Sequence, residues 1–261
     1  MLNQNSIDLL NSRVDFYNRS DFIENDPISV PHQFTRRQDI EIVALLAALF
    51  AWGQRKTIIK KSLELVERMD NSPYDFVLNH SEDDLKGLLD FKHRTFNGED
   101  ALNFIYFFNH HYSKNESLES AFVADSSALV SDTTWTTSSL ISFKRYFSSV
   151  IPIDSRTLKH VASPISNATC KRLNMFLRWM VRKDDRGVDF GLWNKINPSQ
   201  LLCPLDIHVG RVSRKLNLLS REQNDFKAVL ELSENLRSLD PEDPCKYDYA
   251  LFSLGVNESY A

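Results

Sequence analysis

The stretch "SPISNATCKRLNMFLRWMVRK", residues 163–183, decides the fold that the sequence predicts. It opens with a proline and small polar residues, which are typical of a turn. Apolar residues then recur at helical spacing: Leu173, Phe176, Leu177 and Met180. Residues 154–162 are predicted to form a short helix before the turn, and a second helix is predicted to begin near Ala168. The pattern therefore predicts a helix–hairpin–helix.

The rest of the chain also has the pattern of helices, with only seven glycines among 261 residues. Residues 36–53, "RRQDIEIVALLAALFAWG", are apolar nearly all round and predict a central buried helix that Gly53 ends. Further helices are predicted at 83–90, 98–112, 116–123 and 138–148, and two more in "DFKAVLELSENLRSL" (225–239) and "KYDYALFSLGV" (246–256). The predicted class is all-α.

We expect two helical lobes. Residues 39–183 form the first, which ends in the helix–hairpin–helix, and residues 184–261 form a C-terminal lobe. Residues 1–38 are expected to pack on the C-terminal lobe. Between the lobes' main helices, the Gly-, Pro- and Asp-rich residues 184–203 predict a connector with at most one helical turn.

Composition excludes several classes of function. The longest apolar run, residues 42–52, is shorter than the roughly 20 residues that a membrane-spanning helix needs. The N-terminal residues lack a basic segment followed by an apolar one, so we expect a soluble cytoplasmic protein, associated with the nucleoid. The three cysteines form no C-x-x-C pair and are too few for a four-cysteine cluster. We expect buried reduced thiols, no metal, no iron–sulfur cluster and no cofactor.

Positive charge is concentrated in the C-terminal half, although the net charge is −4. Residues 171–186 carry two aspartates against six basic residues: Lys171, Arg172, Arg178, Arg182, Lys183 and Arg186. A second basic stretch lies in "CPLDIHVGRVSRKLNLL", residues 203–219. In it, Asp206 precedes an amphipathic helical pattern and is predicted to be the helix N-cap. The two stretches together predict a local basic face.

This order of motifs resembles the helix–hairpin–helix DNA glycosylase superfamily, which includes endonuclease III and the 8-oxoguanine glycosylases. The resemblance covers roughly residues 39–256, and the chain looks like an uncharacterised bacterial family within that superfamily. It implies a two-lobed helical glycosylase-like fold. The superfamily's hairpin turn is Leu-Pro-Gly-x-Gly; here Asn167 and Thr169 stand at the glycine positions. Asn tolerates a positive φ, whereas Thr169 is less suited to it.

The resemblance implies the roles of the site residues. Lys171 stands at the position of the catalytic lysine and Asp206 at that of the catalytic aspartate. The number of residues between Lys171 and Asp206 resembles the corresponding number in the archaeal 8-oxoguanine glycosylases. Within "DYALFSL" (248–254), Asp248 and Phe252 stand where the 8-oxoguanine enzymes read and stack the flipped base. Gln54 lies in the turn from which members of the superfamily insert a polar side chain into the gap that the flipped nucleotide leaves in the duplex.

Contacts to DNA are expected from one hairpin residue and four basic side chains: Asn167, Arg172, Arg178, Arg182 and Arg211. Simpler interpretations stay open for several positions. Lys171 could contact a phosphate only, Asp206 could be a helix cap, and Asp248 could form an ordinary ion pair. Phe252 is typical of a core residue and Gln54 of a solvent-facing turn residue. Arg178 and Arg182, four positions apart, also fit a solvated helix face.

The predicted function is DNA base excision repair: a DNA glycosylase with AP-lyase activity, acting on a flipped damaged base such as an oxidised purine. A lysine Schiff base would carry the lyase step. The expected partner is double-stranded DNA with a damaged base or an abasic site, with no membrane involved. One alternative is a non-catalytic helix–hairpin–helix DNA-binding protein. Another is a helical scaffold for protein partners.

Overall fold

A computed structural model describes residues 3–123, 132–153, 155–258 and 260. In these ranges the chain is mostly helical, as predicted, with one two-stranded antiparallel sheet of Lys92–His93 and Phe96–Asn97. The α-helices are α1 (Gln4–Tyr17), α2 (Arg37–Phe50), α3 (Arg55–Glu67), α4 (Pro73–Asn79), α5 (Glu82–Lys86), α6 (Gly98–Tyr112), α7 (Glu119–Phe122), α8 (Asp132–Val150), α9 (Lys171–Val181), α10 (Ile207–Lys215), α11 (Phe226–Arg237) and α12 (Tyr247–Val256). Throughout the described ranges, no helix combines the length and hydrophobicity that crossing a membrane requires.

The chain divides into two compact units. The C-terminal unit comprises Met1–Glu24, Val130–Thr137 and Ser163–Ala261, and the central unit comprises Asn25–Leu129 and Ser138–Ala162. The expected boundary between residues 183 and 184 is not among the boundaries of this division, the last of which lies between residues 162 and 163. As a consequence, α9 and the helix that follows Asp206 belong to the same unit.

The central unit is built on α2, which is buried on nearly every side because its sequence is apolar nearly all round. α2 packs against α3 and α4. Its one fully buried acid, Glu41, accepts hydrogen bonds from Tyr112 Oη at 2.8 Å, Ser117 Oγ at 2.6 Å and the Leu118 N–H at 2.9 Å. These three donors compensate the cost of burying a carboxylate. The predicted central helix is confirmed; it ends at Phe50, and Gly53 has a φ of 117°.

The C-terminal unit is organised around α12, most of whose residues are buried. α1 packs on one part of α12 and α10 on another. Arg13 Nε lies 2.6 Å from the Glu258 carboxylate and ties α1 to the end of α12. A Cβ on Gly255 would lie 3.0 Å from the Cβ of His208, so the glycine permits the close approach of α10 and α12. This packing brings Asp206 and Phe252 into one region.

Most predicted helices are present with shifted ends, and 98–112 is α6 without a shift. The connector has a single 3₁₀ turn, Pro198–Gln200, as predicted. The predicted first hairpin helix, 154–162, is instead a 3₁₀ helix at Arg156–His160, and Asp154 lies outside the described residues. Residues 124–131, part of the predicted Ser/Thr-rich segment, lie outside them as well.

Candidate active site

The turn before α9 contains two non-glycine residues in the left-handed region. Asn167 has φ 56° and ψ 22°, and Cys170 has φ 52° and ψ 28°. The expectation that Asn167 tolerates a positive φ is confirmed. The second such residue is Cys170, however, and not Thr169. Because Cys170 interrupts the helical conformation, α9 begins at Lys171, three residues after the predicted start.

The side chain of Asn167 also holds the turn in place. Its Nδ2 donates to Asp225 Oδ2 at 3.0 Å, and the backbone carbonyl oxygen of Asn167 accepts from the Phe226 N–H at 3.1 Å. Asp225 is the N-cap of α11. The turn is therefore anchored to the start of α11 as well as to α9.

Asp206 is the N-cap of α10, as predicted. Its Oδ1 accepts hydrogen bonds from the backbone N–H groups of His208 at 2.9 Å and Val209 at 3.0 Å. Its other oxygen, Oδ2, lies 3.0 Å from Lys171 Nζ. Both side chains remain partly accessible, with 25% of Lys171 and 19% of Asp206 exposed. The amine and the carboxylate therefore meet where two helices begin, within reach of solvent.

The environment of Asp206 keeps it ionised. Burial alone would raise its pKa, but the Lys171 ammonium and the N–H groups of His208 and Val209 outweigh burial, and the pKa is lowered. The positive end of the α10 dipole acts in the same direction. The site thus holds a fixed negative charge beside an amine.

Phe252 of α12 completes this arrangement. Lys171 Nζ lies 5.9 Å from the centroid of the Phe252 ring, which is near the outer limit of a cation–π contact. The ring is half-buried. We call Lys171, Asp206 and Phe252 the amine–carboxylate cluster; three residues that the sequence singled out are brought together in it.

Asp248 does not have the accessibility that base reading requires. Its side chain is buried and forms an ion pair with the guanidinium of Arg178. Burial raises the pKa of Asp248 to about 6, although Arg178 opposes the rise. The carboxylate also lies close enough to Asp206 and Lys171 for their charges to affect its pKa. Asp248 is therefore an internal ion-pair partner, which corrects its prediction as a base-reading residue.

Arg178 and Arg182 are buried, and this corrects their prediction as DNA contacts. Both guanidinium groups approach Asp189, Arg178 Nε at 3.3 Å and Arg182 Nη1 at 3.1 Å. Arg182 is also 2.8 Å from Asp184 and 2.9 Å from Asp243. Charges that are neutralised inside the protein cannot reach a phosphate backbone. Asp189 and Asp243 could not be predicted as partners, since nothing in a single sequence pairs them with α9.

The other expected DNA contacts stay predictions. Asn167 and Arg211 are exposed and Arg172 is half-buried. Gln54 lies in the central unit, where it is the exposed N-cap of α3 and makes no side-chain capping hydrogen bond. Its insertion into DNA is likewise a prediction.

The three cysteines, Cys170, Cys203 and Cys245, are buried free thiols, as predicted. Burial raises the pKa of Cys170 to about 12. No group of three or more His, Cys, Asp or Glu side chains is arranged to hold a metal ion in the part of the chain that the structure describes.

Comparison with known proteins gives a family and no activity. The model of a family described as "Protein of unknown function (DUF2400)" matches residues 26–257. No curated protein and no solved structure matches the chain.

Proposed function

The chain belongs to this family of unknown function, and we propose from its own site that it is a DNA base excision repair glycosylase with AP-lyase activity. Its substrate would be double-stranded DNA with a flipped damaged base, such as an oxidised purine, or an abasic site. The observation that carries the proposal is the 3.0 Å distance between Lys171 Nζ and Asp206 Oδ2 in a partly accessible site.

The chemistry of base excision calls for this pair. Breaking the bond between C1′ and the base leaves the electron pair with the base and develops positive charge on the sugar. An ionised carboxylate stabilises that charge, and the lowered pKa of Asp206 keeps it ionised. Lys171 can attack C1′ once its amine has lost a proton; Asp206 Oδ2, 3.0 Å away, can take that proton and pass it to the departing base, which leaves the carboxylate ionised again. After the amine has bonded to C1′, the C1′–O4′ bond of the sugar ring breaks and O4′ takes up a proton that the amine releases. The protonated Schiff base that results permits β-elimination of the 3′ phosphate.

Two further features support a nucleic-acid substrate. The side chain of Cys170, the N-cap residue of α9, makes no capping hydrogen bond, as expected of a helix whose first N–H groups bind a phosphate oxygen. Phe252 offers an accessible aromatic ring beside the amine, and aromatic rings stack on flipped bases.

One observation favours the alternative of a non-catalytic DNA-binding protein. A glycosylase has to read the base that it removes, but the carboxylate of Asp248, at the expected reading position, already forms an ion pair with Arg178. If no other group reads the base, the fold would bind DNA without excising from it.

A trapping experiment distinguishes the two. Duplexes that carry 8-oxoguanine, uracil, an alkylated purine or an abasic site are incubated with the protein and borohydride, which reduces a Schiff base to a stable adduct. We expect an adduct with the wild type and none with Lys171→Gln. Lys227→Gln, an exposed lysine of α11 in the same unit, is the matched control and should form the adduct normally. Duplex binding without adduct or base release across the panel would instead establish the alternative.

A further inference from the structure

Trp52, in the turn between α2 and α3, is a large aromatic residue that the fold leaves on the surface. It is 54% exposed, whereas the other three tryptophans, Trp135, Trp179 and Trp193, are at most 7% exposed. An exposed indole gives up the hydrophobic stabilisation that its burial would provide. Trp52 therefore contributes little to the core, and its ring is available to contact a ligand.

The guanidinium of Arg94 lies over the Trp52 ring. The Arg94 Cζ is 4.9 Å from the ring centroid, within the range of a cation–π contact. Arg94 also lies against the backbone of Gly53, since a Cβ on this glycine would come within 2.2 Å of Arg94 Nη2. A side chain at position 53 would therefore displace the guanidinium. Arg94 covers only part of the ring, because more than half of Trp52 remains exposed.

The hairpin that carries Arg94 is fixed to the end of α2. Its two strands pair His93 with Phe96, so the turn between them has only two residues. His93 Nε2 donates to the carbonyl oxygen of Phe50 at 3.1 Å, and the Phe50 and Phe96 rings pack edge-on with their centroids 4.9 Å apart. Because buried contacts hold the hairpin, Arg94 lies beside Trp52 without the help of a ligand.

Arg94 has a backbone conformation that its residue type disfavours. Its φ is 53°, in the left-handed region, where glycine and asparagine are the usual residues of a two-residue hairpin turn. Since Arg94 is exposed, its side chain adds little to the packing of the core. Disfavoured backbone conformations cluster at ligand sites. The conformation therefore indicates that the guanidinium serves a ligand and not the fold.

The two segments that meet here, residues 51–60 and 92–97, carry positive charge and contain no aspartate or glutamate. Lys56, Lys60 and Lys92 are exposed lysines of these segments. Lys56 lies in the first turn of α3, where the helix dipole disfavours a cation. Because the whole chain has a net charge of −4, this local excess of cations indicates an anionic partner.

An accessible aromatic ring beside cations fits a nucleic acid. Bases stack on exposed aromatic rings, and the phosphates between them bind lysine and arginine. In a fully paired duplex the faces of the bases are covered by their neighbours, so an indole on the protein surface can stack only on a base that has left the stack. The surface is therefore suited to an unpaired strand.

We propose that Trp52 and Arg94 form a binding site for single-stranded nucleic acid, in which the indole stacks on an unpaired base and the guanidinium, with Lys56, contacts the adjacent phosphates. These residues belong to the central unit, whereas the amine–carboxylate cluster belongs to the C-terminal unit. The site would thus bind a strand whether or not Lys171 is catalytic. It also differs from the expected insertion of Gln54, since it needs no duplex.

Two oligonucleotides test the proposal in titrations of the full chain. One is a single-stranded oligothymidylate. The other has the same length and charge but carries the stable abasic analogue tetrahydrofuran at every position, so it presents phosphates without bases. The fluorescence anisotropy of the labelled oligonucleotides gives their affinities. Quenching of tryptophan emission in the wild type reports stacking, because Trp52 alone of the four tryptophans, all of which the structure describes, is exposed.

The variants separate the ring from the charge. Trp52→Leu removes the ring, and Trp52→Phe keeps a smaller one. Tyr106→Leu is the matched control, because Tyr106 of α6 is 57% exposed in the same unit. Arg94→Gly removes the guanidinium and should have a melting temperature close to that of the wild type, since glycine tolerates the positive φ. Thermal denaturation first shows that each variant is folded.

We expect the wild type to bind oligothymidylate with quenching of its tryptophan emission. Trp52→Leu should weaken this binding about tenfold, which corresponds to about 1.4 kcal/mol for one stacked base. Trp52→Phe should weaken it less, and Tyr106→Leu should leave it unchanged. The abasic analogue should bind the wild type and Trp52→Leu equally. Arg94→Gly should bind both oligonucleotides more weakly, because it loses a phosphate contact.

Three results would overturn the proposal. The first is an equal affinity of the wild type and a folded Trp52→Leu for oligothymidylate. The second is an equal loss of affinity for both oligonucleotides in Trp52→Leu, since the ring would then not act by stacking. The third is a wild type that binds neither oligonucleotide, which would leave this surface to a protein partner. Lys171→Gln should bind oligothymidylate as the wild type does, so a failed trapping experiment would not affect these results.

Discussion

Asp206 uses its two carboxylate oxygens for different tasks: Oδ1 caps α10, and Oδ2 pairs with Lys171 at 3.0 Å. Because these tasks fall on separate atoms, the contribution of the cap to stability can be separated from that of the charge. An N-cap needs an acceptor only, whereas the stabilisation of a cationic sugar needs an anion.

The first prediction compares Asp206→Asn with Asp206→Ala. Asn keeps the capping acceptor and loses a partly exposed ion pair, so we expect a loss of at most about 1 kcal/mol in the free energy of unfolding. Ala also loses the cap, which costs about 1 kcal/mol more. Urea denaturation measures both. Both variants should be equally deficient in adduct formation, whereas full activity in Asp206→Asn would contradict a role for the charge.

The second prediction concerns the buried Asp248, whose pKa is raised to about 6. The pKa of an aspartate in the unfolded state is near 4. Between pH 4 and pH 6 the folded state therefore binds more protons than the unfolded state does, so stability decreases as the pH rises. Relative to Asp248→Asn, the wild type should therefore gain stability from pH 6 down to pH 4, by up to about 3 kcal/mol. Denaturation of both proteins across this range gives the difference. A constant difference would contradict the raised pKa.

The third prediction separates buried arginines from accessible ones. Arg182→Gln leaves the carboxylates of Asp184, Asp189 and Asp243 without their shared cation, and we expect it to destabilise the fold by about 3–5 kcal/mol. Arg211 is exposed, so Arg211→Gln should change stability by less than about 0.5 kcal/mol.

The same pair of variants tests DNA contact. If Arg211 meets a phosphate, its replacement should lower the salt dependence of duplex binding by about one. An Arg211→Gln variant with the wild-type salt dependence would refute that contact. Equal stability of Arg182→Gln and the wild type would show that the buried network contributes nothing.

The helices could largely be predicted from the sequence because apolar periodicity reports local structure directly. α2 and α6 show this, and so does the Asp206 cap, which depends on its own first turn. The conformation of the turn before α9 was harder to predict. Cys170, and not Thr169, adopts the positive φ, because the turn and the first residues of α9 together determine the backbone conformation there.

Burial of charge was the main failure, because it depends on contacts between distant segments. Arg178 and Arg182 have the four-residue spacing of an exposed helix face, and only folding shows that Asp189, Asp243 and Asp248 surround them. The pairing of Lys171 with Asp206 was expected from a resemblance and not from spacing. A single sequence gives no physical reason for these two residues to meet.

The last prediction concerns Asn167, which has a φ of 56° and donates to Asp225 at 3.0 Å. Asn167→Ala loses the hydrogen bond and places a Cβ in the left-handed region without a polar side chain to compensate, at a cost of about 1 kcal/mol for each effect. Asn167→Gly loses the hydrogen bond alone, so it should be more stable than Asn167→Ala by about 1 kcal/mol. Urea denaturation of the three proteins gives this order.

A glycine would also let a phosphate approach the turn more closely, so duplex affinity should be at least as high in Asn167→Gly as in the wild type. Weaker binding by a folded Asn167→Gly would show that the asparagine side chain itself contacts DNA.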